Sequence, residues 1–311
     1  MGEGDLKTDI ITLTNHILSF QKQHPEATGD LSVLLSSVAT ACKWITNVVR
    51  KAELLHVLGQ TGTTNVQAEN VQKLDILSNE IMVNMLIGSK KTAMLISEEV
   101  EEAISVPKEK SGHYCVVFDP LDGSSNIDCG VSVGTIFGIY RLDVLTDKPL
   151  TEQVLVPGSK MVCGGYCMYG SSSVLVMSFG GEANGYTLDP NLGEFLLTHP
   201  KMKLGKKKIY SLNEGYAHSF HPAVKGYLDT LKFPPEGFQG KFTPYSARYV
   251  GSMLYECFPM AMLVEACGGK ASNGKQRILD LTPKSIHDRS PIFLGTAEEV
   301  DAIEQWFKKH P

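Results

Sequence analysis

Two acidic pairs stand at the ends of short apolar runs. Ala93-Met94-Leu95-Ile96 leads into Ser97-Glu98-Glu99, and Tyr114 to Phe118 leads into Asp119-Pro120-Leu121-Asp122-Gly123. Runs of this length, bounded by turn residues, predict strands. In α/β sheets ligands gather at the carboxyl ends of strands, so neighbouring strands would bring four carboxylates together. Charges that close suppress one another's ionisation unless cations compensate them. An oxygen-only site suits Mg²⁺ or Mn²⁺, and the lack of a convincing Cys/His set argues against structural zinc.

The string Asp119-Pro120-Leu121-Asp122-Gly123-Ser124-Ser125-Asn126 has a logic of its own. Pro120 is expected to stiffen a turn so that both aspartates face one ion. Gly123 lets the backbone approach a ligand. Ser124-Ser125 can open a helix whose amides and hydroxyls face a phosphate beside the metals. The bland reading is an Asx turn closing a strand, with its acids solvated. That reading is the better one for Asp-x-x-Asp-Gly alone; Glu98-Glu99 and the complete string outweigh it.

The elements that would carry these groups follow from periodicity. Leu31, Leu34, Leu35, Val38, Ala41, Cys42, Ile45, Val48 and Val49 keep helical spacing. Cap-type residues in Thr28-Gly29-Asp30-Leu31-Ser32 open that helix. Val71, Leu74, Leu77, Ile81, Met85 and Leu86 predict a second, and the polar, Gly-rich stretch Gly59 to Asn65 between them reads as a mobile loop. Val133 to Tyr140, Tyr166 to Met168 and Val174 to Met177 are further strand candidates. Past Thr198-His199-Pro200 a lysine-rich, solvated stretch precedes a strand at Ile209 to Ser211, a helix near Met260 to Ala266 and a last strand at Ile292 to Leu294. The expected fold class is α/β, with a division near residue 200 into segments 1–200 and 201–311.

Composition narrows the function classes. The chain has 311 residues, 42% hydrophobic and 20% charged, with a net charge of −5, which argues against a nucleic-acid groove as its main surface. No apolar run reaches the roughly 18 residues that span a bilayer, so no membrane partner is expected. Met1 to Leu6 shows no basic or apolar signal region, and Leu6 stands where myristoylation wants Ser or Thr. The seven cysteines are odd in number. Cys163 and Cys167 could ligate a metal or redox partner, but small buried thiols are the better reading. A reducing, cytoplasmic setting is expected.

The eight-residue string resembles the signature of metal-dependent, lithium-sensitive phosphatases. Asn213-Glu214-Gly215-Tyr216, Ala247 to Met253, Leu254-Tyr255-Glu256-Cys257, Pro259-Met260, Ile286-His287 and Arg289 before Pro291 narrow the resemblance to the fructose-1,6-bisphosphatase family. It implies a layered αβαβα sandwich with two mixed-sheet domains. It also implies that Glu98, Asp119, Asp122, Glu256 and the main-chain oxygen of Leu121 ligate two or more Mg²⁺ or Mn²⁺ ions. Asp75 and Glu99 would orient or deprotonate the attacking water, and Gly123, Ser124, Ser125 and Asn126 would line the substrate site. Asn213, Tyr216, Arg248 and Tyr249 would hold the 6-phosphate of fructose 1,6-bisphosphate, with Met253 against the sugar. Arg248 would reach a neighbouring active site, which implies a homotetramer. On residue type alone, Tyr216 and Tyr249 read as half-buried packing and Asn213 as a turn residue. Thr28, Gly29, Asp30, Leu31, Ser32, His113, Tyr114 and Arg141 match the family's AMP site. His113 replaces the usual Lys, and histidine loses its charge near neutrality, so AMP inhibition is expected to weaken as pH rises.

The largest departure follows Met253, which joins Leu254-Tyr255-Glu256 directly. The family pattern places a helix, a strand and a lysine-bearing loop there. Losing a strand exposes its neighbours' edges and apolar faces. Either the natural chain carries a segment not in this sequence, or splicing removes it, or the chain compensates. The retained ligands favour the first. A non-catalytic regulatory or scaffolding paralogue is the competing functional class.

Overall fold

The structure is a computed structural model, and it describes residues 10–52, 54, 60–64, 70–144, 149–179, 181–205, 208–234, 243–245 and 251–310. Its centre is an eight-stranded sheet of β3 (Thr92–Ser97), β4 (Ile104–Ser105), β5 (Tyr114–Asp122), β6 (Val133–Arg141), β7 (Cys163–Tyr169), β8 (Ser173–Phe179), β9 (Glu182–Asp189) and β10 (Glu194–His199). The order is β10-β9-β8-β7-β6-β5-β3-β4, and β3 with β5 is the one parallel pair in that sheet. Strand residues alternate between two cores. Tyr114, Val116 and Phe118 of β5 face helices α1 (Leu13–Gln21), α2 (Asp30–Arg50) and α3 (Lys73–Gly88). Cys115 and Val117 face the C-terminal half with Leu254, Tyr255 and Phe258, as the period of two in a strand requires.

Helix α2 is long and apolar enough to cross a membrane by length and composition, but half of that window is buried inside the protein. Leu34, Leu35, Val38, Ala41, Cys42 and Ile45 form its core-facing stripe, so it is a core helix. The stretch expected as a mobile loop contains β1 (Gln60–Thr64), antiparallel to β2 (Asn70–Gln72). Gly59 and Asn65 lie outside the described residues.

The C-terminal half packs short strands with helices. Helix α4 (Leu150–Val154) precedes it. Then β11 (Ile209–Ser211) pairs in parallel with β12 (Thr243–Tyr245), β13 (Gly251–Ser252) with β15 (Arg289–Ser290), and β14 (Lys270–Ser272) with β16 (Phe293–Gly295). Helices α5 (Pro222–Lys232) and α7 (Ala297–Lys309) bury Val224, Leu228, Ile303 and Phe307 against each other, while α6 (Phe258–Ala266) packs on the large sheet. Among the described residues these strands stand as separate pairs. A cleft of about 350 Å³ lies between β11 and β16, lined by Ile209, Leu212, Leu228, Phe293, Leu294 and Ile303.

Candidate functional site

The parallel pairing of β3 and β5 sets Ser97 beside Phe118 and brings the carboxyl ends of both strands to one place. The Glu98 amide donates to the Phe118 carbonyl at 3.1 Å, holding the acidic pair against the aspartate segment. The two aspartates do not follow a turn, as the sequence suggested; they lie inside β5. Residues three apart in a regular strand face opposite sides. Here Asp119 pairs with Ile136 and Asp122 with Gly134, so three steps on β5 match two on β6. That extra residue is a β-bulge, and it turns both carboxylates to the same face. The bulge is pinned from below. Thr135 Oγ1 donates to the Pro120 carbonyl at 2.8 Å, and the Leu121 amide donates to Asp119 Oδ1 at 2.9 Å.

Glu256 arrives from the other side. A wide helical turn, Met253–Cys257, packs against β5 and carries it. The Ser252 amide donates to Glu256 Oε2 at 2.5 Å. Asp119, Asp122 and Glu256 each offer one oxygen, all within 4.8 Å of one another. Asp119 is 3% exposed, and Glu98 and Glu256 are 8%. Burial, then the charges of Glu98, Asp122 and Glu256, hold the Asp119 carboxyl well above the usual range. A cation bound there would replace the lost hydration and favour the ionised form. The donors are all oxygens, which fits a hard divalent ion.

The other expected residues distribute unevenly. Gly123, at φ +87°, ends the strand and starts the turn Ser124–Cys129; Leu121 is buried beside it. The side chain of Asn126 lies outside the described residues. Asp75 sits at the start of α3, where its Oδ2 accepts from the Gln72 amide at 2.7 Å. Glu99, half-buried, follows directly on Glu98. Met253 opens the Glu256 turn, and its amide donates to the Asp288 carbonyl at 2.8 Å. Asn213 caps a short turn by accepting from the Gly215 amide at 3.2 Å, and Tyr216 on that turn is 62% exposed. Arg248 and Tyr249 lie outside the described residues.

A second cleft, also of about 350 Å³, opens at the N-terminus of α2, far along β5 from the acidic centre. It gathers Thr28, Gly29, Asp30, Leu31, Ser32, His113, Tyr114 and Arg141, all eight residues expected there. Gly29 adopts φ +84°, and Lys91 Nζ lies 2.6 Å from Asp30 Oδ1, which keeps that carboxyl below its usual range. Sequence reasoning did not single out Lys91, nor Gln21, whose Oε1 accepts from Ser32 Oγ at 2.7 Å. Nothing local in the sequence ties either to residues distant along the chain. Cys163 and Cys167 are buried in the core with Cys42, Cys115 and Cys257, and none of the seven cysteines forms a disulfide.

Fold and acidic centre together define a layered α/β protein with an oxygen-only candidate cation site at the ends of two parallel strands. The family description "Fructose-1-6-bisphosphatase, N-terminal domain" matches residues 11–200, and "Fructose-1-6-bisphosphatase, C-terminal domain" matches residues 252–308. The chain belongs to the fructose-1,6-bisphosphatase family, a family of phosphoric monoester hydrolases. It is 49% identical to "Fructose-1,6-bisphosphatase, cytosolic" of Arabidopsis thaliana over 328 residues, covering 96% of this chain and 95% of the relative. The Brassica napus protein of the same name is 48% identical, over 97% and 96%. The holo form of Leishmania major fructose-1,6-bisphosphatase superposes with a TM-score of 0.86 at 36% identity, covering 96% of this chain and 99% of that one. The Arabidopsis alignment is longer than the whole 311-residue chain. Some of the relative's residues therefore have no counterpart here.

Proposed function

We propose that this chain hydrolyses the 1-phosphate of fructose 1,6-bisphosphate, giving fructose 6-phosphate and inorganic phosphate as a gluconeogenic step in the cytoplasm. The observation that carries this reading is the buried carboxylate cluster of Asp119, Asp122 and Glu256 at the ends of paired strands, in a chain 49% identical to a cytosolic fructose-1,6-bisphosphatase. Glu98, Asp119, Asp122, Glu256 and the Leu121 carbonyl would hold two or more Mg²⁺ or Mn²⁺ ions. When bound, such ions supply positive charge against the negative charge that develops on the phosphoryl oxygens. Asp75 and Glu99 orient or deprotonate the attacking water. Amides and hydroxyls of Gly123, Ser124, Ser125 and Asn126 take the phosphoryl oxygens. Asn213, Tyr216, Arg248 and Tyr249 hold the 6-phosphate, and Met253 lies against the sugar. A guanidinium suits that task because its fork meets phosphate oxygens in pairs. Arg248 serves a neighbouring active site in a homotetramer, and AMP inhibits from the cleft at the start of α2. Segments 1–200 and 201–311 divide these duties, AMP and most metal ligands in the first, the 6-phosphate and the ligand Glu256 in the second.

Family membership and the gathered carboxylates do not favour a non-catalytic paralogue. Product analysis after incubation of purified protein with fructose 1,6-bisphosphate and Mg²⁺ tests the reading. Fructose 6-phosphate is expected. Recovery of fructose 1-phosphate, or of unchanged substrate from folded protein, would overturn it.

A further inference from the structure

The turn that carries Glu256 is held by a directional chain of hydrogen bonds ending on the loop that carries Glu98 and Glu99. The Nε2 atom of His287 lies 3.1 Å from the main-chain oxygen of Glu101. A carbonyl can only accept, so Nε2 carries the proton and, in the neutral ring, Nδ1 is left as an acceptor. The Tyr255 hydroxyl lies 3.3 Å from Nδ1 and donates to it. With its proton so placed, the Tyr255 oxygen accepts from Ser252 Oγ at 2.8 Å. The amide of the same serine donates to Glu256 Oε2 at 2.5 Å. His287 thus touches the backbone two residues past Glu99 and, through Tyr255 and Ser252, the backbone amide that orients Glu256.

The surroundings stiffen this connection. Tyr255 is fully buried, and its ring meets that of His287 edge-on with centroids 6.0 Å apart. The strand after His287 pairs with Gly251-Ser252, and the Met253 amide donates to the Asp288 carbonyl at 2.8 Å. The two halves of the carboxylate cluster come from β3–β5 and from Met253–Cys257. His287 bonds to both halves, to the Glu101 carbonyl on the β3–β5 side and to Tyr255 on the Glu256 turn.

We propose that His287 is a positioning residue that fixes the spacing between the Glu98–Glu99 loop and Glu256, and so sets the cation affinity of the cluster. This rests on the metal reading given above. Residues that orient metal ligands from outside typically change affinity 10–100-fold when altered. His287 acts at two removes, so His287→Ala is expected to weaken Mn²⁺ binding about tenfold, with turnover at saturating metal nearly unchanged. Asn places an amide group where Nδ1 stands, so His287→Asn should recover part of the loss. Tyr255→Phe removes one hydroxyl and keeps the buried ring, which guards against a trivial folding failure, and should weaken Mn²⁺ as His287→Ala does.

The test is Mn²⁺ binding followed by electron paramagnetic resonance on purified full-length protein without substrate, for the unaltered chain, His287→Ala, His287→Asn, Tyr255→Phe and the Ala/Phe double variant. The expected result is similar weakening in Ala and Phe, partial recovery in Asn, and no further loss in the double variant, because residues in one chain of contacts are not additive. Unaltered Mn²⁺ affinity in the folded Phe variant, or losses that add in the double variant, would overturn the positioning role. Failure of the unaltered chain to bind Mn²⁺ would overturn the metal reading as well.

Discussion

Replacing Asp119 by asparagine should have two opposite consequences. The side chain keeps its size and an oxygen for the Leu121 amide, now 2.9 Å from Oδ1, but loses its charge. With the cation bound, the missing charge weakens the electrostatic centre on which turnover depends. Losing one preorganised group of this kind costs about 10²–10³ in rate, or roughly 3–4 kcal/mol, and kcat/KM for phosphate release at saturating Mg²⁺ should fall by at least that factor. Without the cation the sign reverses. Oxygens of Asp119, Asp122 and Glu256 lie within 4.8 Å of one another, and two unit charges at that distance repel by about 3.5 kcal/mol at an effective dielectric constant of about 20. Partial protonation already relieves some of this, so metal-free Asp119→Asn should be about 1–3 kcal/mol more stable than the unaltered chain at pH 8. At pH 5, where protonation of the raised Asp119 carboxyl relieves more of the repulsion, the gain should be smaller. Phosphate release and thermal melts in chelator, at both pH values, read the two effects. A variant that keeps full activity, or is less stable than the parent in chelator at pH 8, would refute the reasoning.

Other consequences follow from the same geometry. Asp119 titrates above its unfolded value, so the metal-free fold loses stability as pH rises from the ordinary carboxylate range through the raised value. Bound Mg²⁺ offsets that loss, and the Mg²⁺-induced rise in Tm should be larger at pH 8 than at pH 5.5; an equal rise at both would contradict it. Gly123 sits at φ +87°, where a Cβ costs about 1–2 kcal/mol. Gly123→Ala should lower Tm slightly and phosphate release far more, and unchanged release would remove this turn from the substrate site. Arg141 lines the cleft at the start of α2, so Arg141→Ala should abolish inhibition by AMP with the uninhibited rate preserved. Inhibition of normal strength in that variant would place the AMP site elsewhere.

The acidic centre was largely legible because short apolar runs ending in acids leave few other foldings. Neighbouring strand ends were inferred from Glu98-Glu99 and Asp119/Asp122, and the parallel β3–β5 pair supplies them. The bulge was not legible. Pro120 suggested a turn, whereas the count of residues against β6 decides the matter, and such register is a property of the pair. Strands β9 and β10 escaped notice because Asn184-Gly185 carries turn chemistry in the middle of β9. There Gly185 admits the close approach of His199, whose Cβ would lie 3.1 Å from an added methyl. Helix α7 had a readable signal in Val300, Ile303 and Phe307, which are spaced for one face and buried against α5. His287 and Tyr255 stood within recognisable motifs, but their mutual hydrogen bond joins positions 32 residues apart and has no local signature.

The most direct test of the central claim is phosphate release from fructose 1,6-bisphosphate by purified protein of this sequence, titrated with Mg²⁺ after treatment with a chelator. Release that is absent in chelator and rises to saturation with added Mg²⁺ is predicted. Undiminished release without any divalent ion, or none from folded protein that binds Mg²⁺, would contradict the account.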